Sequence, residues 1–127
     1  MNNMIAVTLR ITTNVHYGII KYNDDIRKIS ELFFNALASG LNSTYRGDLA
    51  WVATDDNVVI AFRPANNRKQ YEGSNFYDDV IIVGYILITI ITKDFDVLNK
   101  YVNKVVDTVK NAPYLLFNVE VIDCGQQ

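Results

Sequence analysis

The chain is poor in the residues that make chemistry easy to read. Its one cysteine, Cys124, cannot form an internal disulfide, and a thiolate metal cluster has no ligands to draw on. There is one histidine, His16, with no H-x-E, H-E-x-x-H or Ser-His-Asp spacing around it. Gly-rich phosphate loops are missing: Gly47, Gly73 and Gly84 stand singly. Neither sign of charge predominates, since 12 basic residues face 14 acidic ones, and a net charge of −2 makes no global case for nucleic acid. The start, M-N-N-M-I-A-V-T-L-R, shows neither the basic opening nor the cleavage site of a signal peptide. No internal repeat, linker or low-complexity tract breaks the chain. With half its 127 residues hydrophobic and a fifth charged, it reads as a single α+β domain over residues 1–127 that can bury a core without staples.

What is present is organised around one stretch, D-V-I-I-V-G-Y-I-L-I-T-I-I-T, from Asp79 to Thr92. Twelve of its residues, Val80 to Ile91, hold no charge. A membrane helix needs about 20 apolar residues, and this run meets Lys93 and Asp94 well before that. Its β-branched residues are stiff at the first side-chain torsion and suit a pleated surface. It is therefore predicted to be a buried strand, which at about 3.3 Å per residue spans roughly 45 Å. One face carries Val80, Ile82, Gly84, Ile86, Ile88 and Ile90; the other carries Ile81, Val83, Tyr85, Leu87, Thr89 and Ile91. Both are apolar and both need cover. Two helices can cover one face of a small sheet. The other calls for a second layer or another subunit.

Elsewhere the periodicities are local. Ile5, Val7, Leu9 and Ile11 alternate with Ala6, Thr8, Arg10 and Thr12 as a half-buried strand. A turn at Thr13-Asn14 with Val15 to Tyr22 returning predicts a hairpin. Asn23-Asp24-Asp25 offers a helix start, Ile26, Ile29, Phe33, Ala36 and Leu37 recur at helical spacing, and Gly40 supplies a stop. Asn42 to Asp48 reads as a polar connector. Leu49 to Thr54 and Asn57 to Arg63 read as short strands around the turn Asp55-Asp56-Asn57, with Pro64 closing the second. Residues 64–78 lack periodicity and are expected to form a long ordered loop or an extended hairpin arm. A second helix starts at Thr92 or Asp94, carries the stripe Leu98, Tyr101, Val102, Val105 and Val109, and ends at Asn111 and Pro113. Leu115, Phe117, Val119 and Val121 alternate as a last strand.

Candidate sites are few. His16 reads most simply as an ordinary strand or turn histidine. In Asp55-Asp56 and Asp78-Asp79, successive strand residues point to opposite faces, so turn formation and edge solvation explain both pairs more simply than hard-metal binding. Arg63, Arg68 and Lys69 lie near Tyr71, Phe76 and Tyr77. Such an arm can be a solvated loop, a protein contact rich in the residues of binding hot spots, or a grip on phosphates and bases. Glu72, Asp78 and Asp79 dilute its charge and disfavour nucleic acid. These six basic and aromatic residues are taken as candidate partner-binding residues, and no catalytic, metal or cofactor site is predicted.

From Asp24 onward the elements run helix, two short strands with a long loop, long strand, helix, strand. The segments I-R-K-I-S-E-L-F-F-N-A-L, V-V-I-A-F-R-P with the loop after it, V-I-I-V-G-Y-I-L-I-T-I-I-T and V-L-N-K-Y-V-N-K-V-V-D-T-V carry that order. It resembles phage tail-terminator and head–tail completion proteins. The resemblance implies a ring of identical subunits that closes a tail tube and docks to other structural proteins of the particle, without chemistry, in a virion or the host cytoplasm. The Met4 to Tyr22 strands depart from it. The pattern equally fits a ferredoxin-like βαββαβ sandwich, a superfold that implies no single function. Both give an α+β fold: a mixed or antiparallel sheet with two helices on one face. The leading expectation is a non-enzymatic, self-assembling structural protein with itself as first partner, no cofactor and no membrane. The others are a small nucleic-acid-binding or inhibitory protein of a virus or mobile element using the basic arm 63–71, and a small enzyme using His16 or the aspartates.

Overall fold

A computed structural model describes the backbone of residues 3–13, 16–17, 19–70 and 80–126, and the side chains of 3–13, 24–65 and 84–125. Strands β1 (Ile5–Thr13), β2 (His16–Tyr17), β3 (Asn42–Gly47), β4 (Ala50–Thr54), β5 (Val58–Gln70), β6 (Val80–Thr92) and β7 (Leu116–Gln126) form one antiparallel sheet with α1 (Ile19–Leu37) and α2 (Phe95–Lys110). The order is β3-β4-β5-β6-β1-β7, with β2 also on β6. The isoleucine-rich β6 lies at the centre, paired with β5 along its whole length and with β1 on the other side. Because β1 and β5 each run antiparallel to β6, they are parallel to one another with β6 between them. The unit β6-α2-β7 likewise has β1 inserted. These two split βαβ units make the ferredoxin-like connectivity, extended at one edge by the β3–β4 hairpin.

Register aligns one alternation of every inner strand under the helices. Leu9, Ile88, Phe62 and Trp51 lie in one row across the sheet, and Val7, Ile90, Ile60 and Ala53 in the next. All are buried. Ile26, Ile29, Phe33 and Leu37 of α1 and Leu98, Tyr101, Val105 and Val109 of α2 close over them, as their helical spacing predicts. Trp51 stacks on Phe62 at 5.3 Å, with Phe33 beside Phe62 and Phe34 edge-on to Trp51. Buried hydroxyls satisfy backbone carbonyls: Thr92 donates to Asn57 at 2.6 Å and Thr13 to Gly84 at 2.9 Å. Asp94 caps α2 by accepting the Asp96 amide at 2.7 Å.

Five local expectations are corrected. Val15 to Tyr22 does not return as a hairpin strand. His16 and Tyr17 instead run on along the β6 edge that β1 occupies, because a 13-residue β6 has backbone groups to pair beyond Tyr85. Helix α1 therefore begins at Ile19, and Asp24 and Asp25 fall inside it rather than at its cap. The connector Asn42 to Asp48 is strand β3: at a sheet edge, backbone pairing with β4 suffices and apolar alternation is not needed, so every residue of β3 is exposed. Pro64 does not end β5. The β4 partner stops at Phe62, so Pro64 stands where β5 has become an edge strand and a missing N–H is tolerated. The 64–70 half of the expected arm is thus hairpin ladder against Val80–Ile86, while residues 71–79 lie outside the described ones. Lastly, two register shifts rephase β7, so Phe117 opposes Thr12 while Val119 and Val121 oppose Ile11 and Leu9 on the helix side.

Candidate functional site: the uncovered sheet face

Antiparallel sheets with one solvated face normally show polar residues there. The face turned away from the helices follows that pattern only in part, mixing apolar side chains with threonines and charges. One row reads Thr54, Val59, Ile91, Ala6; the next Val52, Ala61, Thr89, Thr8, Asp123; the next Arg63, Leu87, Arg10, Glu120; the last Ala65, Tyr85, Thr12, Phe117. The central positions are half-buried by their neighbours in the sheet, and among the described residues no element packs on them.

Several polar groups in the middle of this face are engaged with one another, though the buried Arg10 Nε has no hydrogen-bond partner among the described residues. The Thr8 and Thr89 hydroxyls share a hydrogen bond of 2.9 Å. The Arg10 guanidinium lies 5.3 Å from the centre of the Tyr85 ring and donates to Glu120 at 3.0 Å. That pair is over a third exposed, so it contributes at most about 1 kcal/mol to stability. Arg46 and Arg63, toward β3–β5, have no acidic partner among the described residues, and neither does Asp123 on β7 have a basic one. Arg46 and Arg63 border a shallow trough of about 200 Å³, with Ala50, Val52, Ala61 and Leu87 in its lining. The far margin, β7, exposes Phe117 on this face and, at the register shift beside Asp123, Ile122.

Of the predicted partner-binding residues, Arg63 is exposed on this face. Arg68 and Lys69 belong to β5 by backbone, opposite Ile82 and Ile81, and their side chains are not among those described. Tyr71, Phe76 and Tyr77 lie outside the described residues, as do Asp78 and Asp79. His16 pairs by backbone with Ile82. Asp55 serves the turn: its Oδ1 accepts the amides of Asn57 at 2.7 Å and Val58 at 3.0 Å, while Asp56 is exposed. Asp55 also raises the pKa of the nearby Tyr101 hydroxyl above its ordinary value, after the larger effect of burial. Among the described residues no three His, Cys, Asp or Glu side chains gather as a metal site would require, and no helix is long and apolar enough to cross a membrane.

Sequence reasoning singled out the second face of β6 but missed Arg10, Arg46 and Asp123. The signal for Arg10 was available, in the Ala6, Thr8, Arg10, Thr12 alternation. Arg46 was hidden by reading β3 as a connector. No protein-family model, curated protein or solved structure matches the chain.

Proposed function

We propose that the chain is a non-enzymatic structural protein that assembles with copies of itself, as a tail or head–tail completion component of a virion. The observation that carries this reading is the sheet face opposite the helices, where the half-buried Leu87, Ile91, Val59 and Val52 stand beside the mutually hydrogen-bonded Thr8 and Thr89 with no element packed on them among the described residues. Covering such side chains with a neighbouring copy removes apolar surface from water. Of the order behind the resemblance, α1, the long β6, α2 and β7 support the virion setting, while β1, β2, the edge strand β3 and the 13-residue β5 depart from it. The deciding experiment is native mass by light scattering over a concentration series. Assembly into a discrete oligomer supports the reading. A monomer at high concentration refutes it.

One observation favours a second reading. Arg46 and Arg63 share the uncovered face with Tyr85, which is an arrangement that can hold phosphates and stack a base. Its mark is salt-dependent binding of a single-stranded oligonucleotide that weakens when Arg63, Arg68 and Lys69 become alanine; absent or salt-independent binding removes it.

A further inference from the structure

Self-assembly, the reading on which this step rests, leaves open which parts of two copies meet. The uncovered face is charge-polarised. At one end Arg46 and Arg63 border an apolar trough and lack acidic partners among the described residues. At the other, the β7 margin presents Phe117 and Ile122, each nearly half exposed, with the carboxylate of Asp123, which has no basic partner among the described residues. Arg63 on β5 is three strand spacings from β7 and Arg46 on β3 is five, about 14 Å and about 24 Å at the usual interstrand distance. We infer that copies join head to tail, the Phe117/Ile122/Asp123 margin of one seated on the arginine-bordered trough of the next.

The chemistry of the two ends fits. Apolar side chains meet an apolar floor around Leu87, and a carboxylate meets two guanidiniums that can bind it bidentately. Either end against its own kind would bring like charges together. Each copy offers one trough and one margin, so the contact either repeats from copy to copy, closing into a ring or running on, or is made twice about a two-fold axis.

The test uses two variants of the full chain, R46E/R63E and D123R, both altered at exposed residues, with the thermal transition confirming that each is folded. Each alone is expected to fall to monomer mass. Mixed in equal amounts, they are expected to re-form an oligomer in which the two variants alternate, because the margin of each then meets a trough of opposite charge. The combined R46E/R63E/D123R chain is expected to regain an oligomer. If the unaltered chain assembles and neither variant disperses it, this contact is wrong while self-assembly stands. If the unaltered chain is a monomer, both fall. If R46E/R63E leaves the mass unchanged but abolishes binding of a single-stranded oligonucleotide, the trough belongs to nucleic acid and the inference is overturned.

Discussion

Ile88 and Leu87 are neighbours on β6 that point to opposite sides of the sheet, and truncating each measures what covers that side. Ile88 is fully buried between Leu9 and Phe62 in its row. Replacing it with alanine removes three carbons, about 2.4 kcal/mol of transfer free energy at ~0.8 kcal/mol each, and leaves a cavity that a rigid aromatic wall cannot fill. The total comes to about 4 kcal/mol. Leu87 sits between Arg63 and Arg10 on the uncovered face and is half-buried. Leu87→Ala loses roughly half the same transfer term and leaves no enclosed hole, so it costs about 1 kcal/mol in an isolated chain. With a urea m-value of about 2 kcal/mol/M, the two midpoints differ by about 1.5 M. The assay is urea unfolding at dilutions where the chain is monomeric, followed by the same series at high concentration. In the assembled state Leu87→Ala should lose more, because the unaltered chain then gains stability by mass action. Equal losses of about 4 kcal/mol at both positions in the dilute series would show that a single chain covers both faces, and the case for assembly would fall with that result.

Other expectations follow from single groups. Asp94→Ala removes the cap on α2 and should lower stability by about 1 kcal/mol in thermal or urea unfolding, with Asp94→Asn or Ser losing far less. Gly40 has a φ of +79° with nothing within 4 Å of where a Cβ would sit, so Gly40→Ala should cost about 1 kcal/mol through backbone strain alone, and Gly40→Asn less. Tyr101 has its hydroxyl pKa raised by burial and then by Asp55. The folded state therefore holds that proton more tightly than the unfolded one; the resulting stabilisation is complete below pH 10.0 and is lost as pH rises through the folded value. Tyr101→Phe should flatten this alkaline decline in a stability-against-pH series, and an unchanged slope would show that another group titrates.

The elements legible in the sequence were those whose side chains reported a local environment. Ile5 to Ile11, the helical stripes of α1 and α2 and the apolar run of β6 each sit half or fully in the core, so their periodicity announced them. What stayed hidden was decided by backbone pairing. Strand β3 exists because β4 offers it an edge, and the hairpin joining them lacks the Asn-Gly signature of such turns: Gly47, Asp48 and Leu49 all adopt positive φ, at 87°, 50° and 66°. Leucine is a poor residue for that conformation. It is held there because its side chain packs on the core and its carbonyl accepts the Ser30 hydroxyl at 3.0 Å, neither of which a local reading can see. Pro64 misled for the same reason, since whether a proline ends a strand depends on whether a neighbour needs its N–H. The uncovered face divided similarly. Its β6 residues were visible, but the arginines that border the trough come together only through strand order.

That strand order also bears on whether the face is built to be covered. Hiding a surface from water is unfavourable when polar groups on it lose hydrogen bonds they cannot replace. Here the centre has few to lose. The Thr8 and Thr89 hydroxyls already bind each other, and Arg10 is held by Glu120 and the Tyr85 ring. Between them stand Ala6, Ala61, Leu87 and Ile91, for which water is the worse solvent. A face meant to stay wet would gain solubility from charge at Leu87 and Ile91, both on the central strand β6. Instead the charges without a partner among the described residues, Arg46, Arg63 and Asp123, sit toward its two ends, where a neighbouring copy meets them.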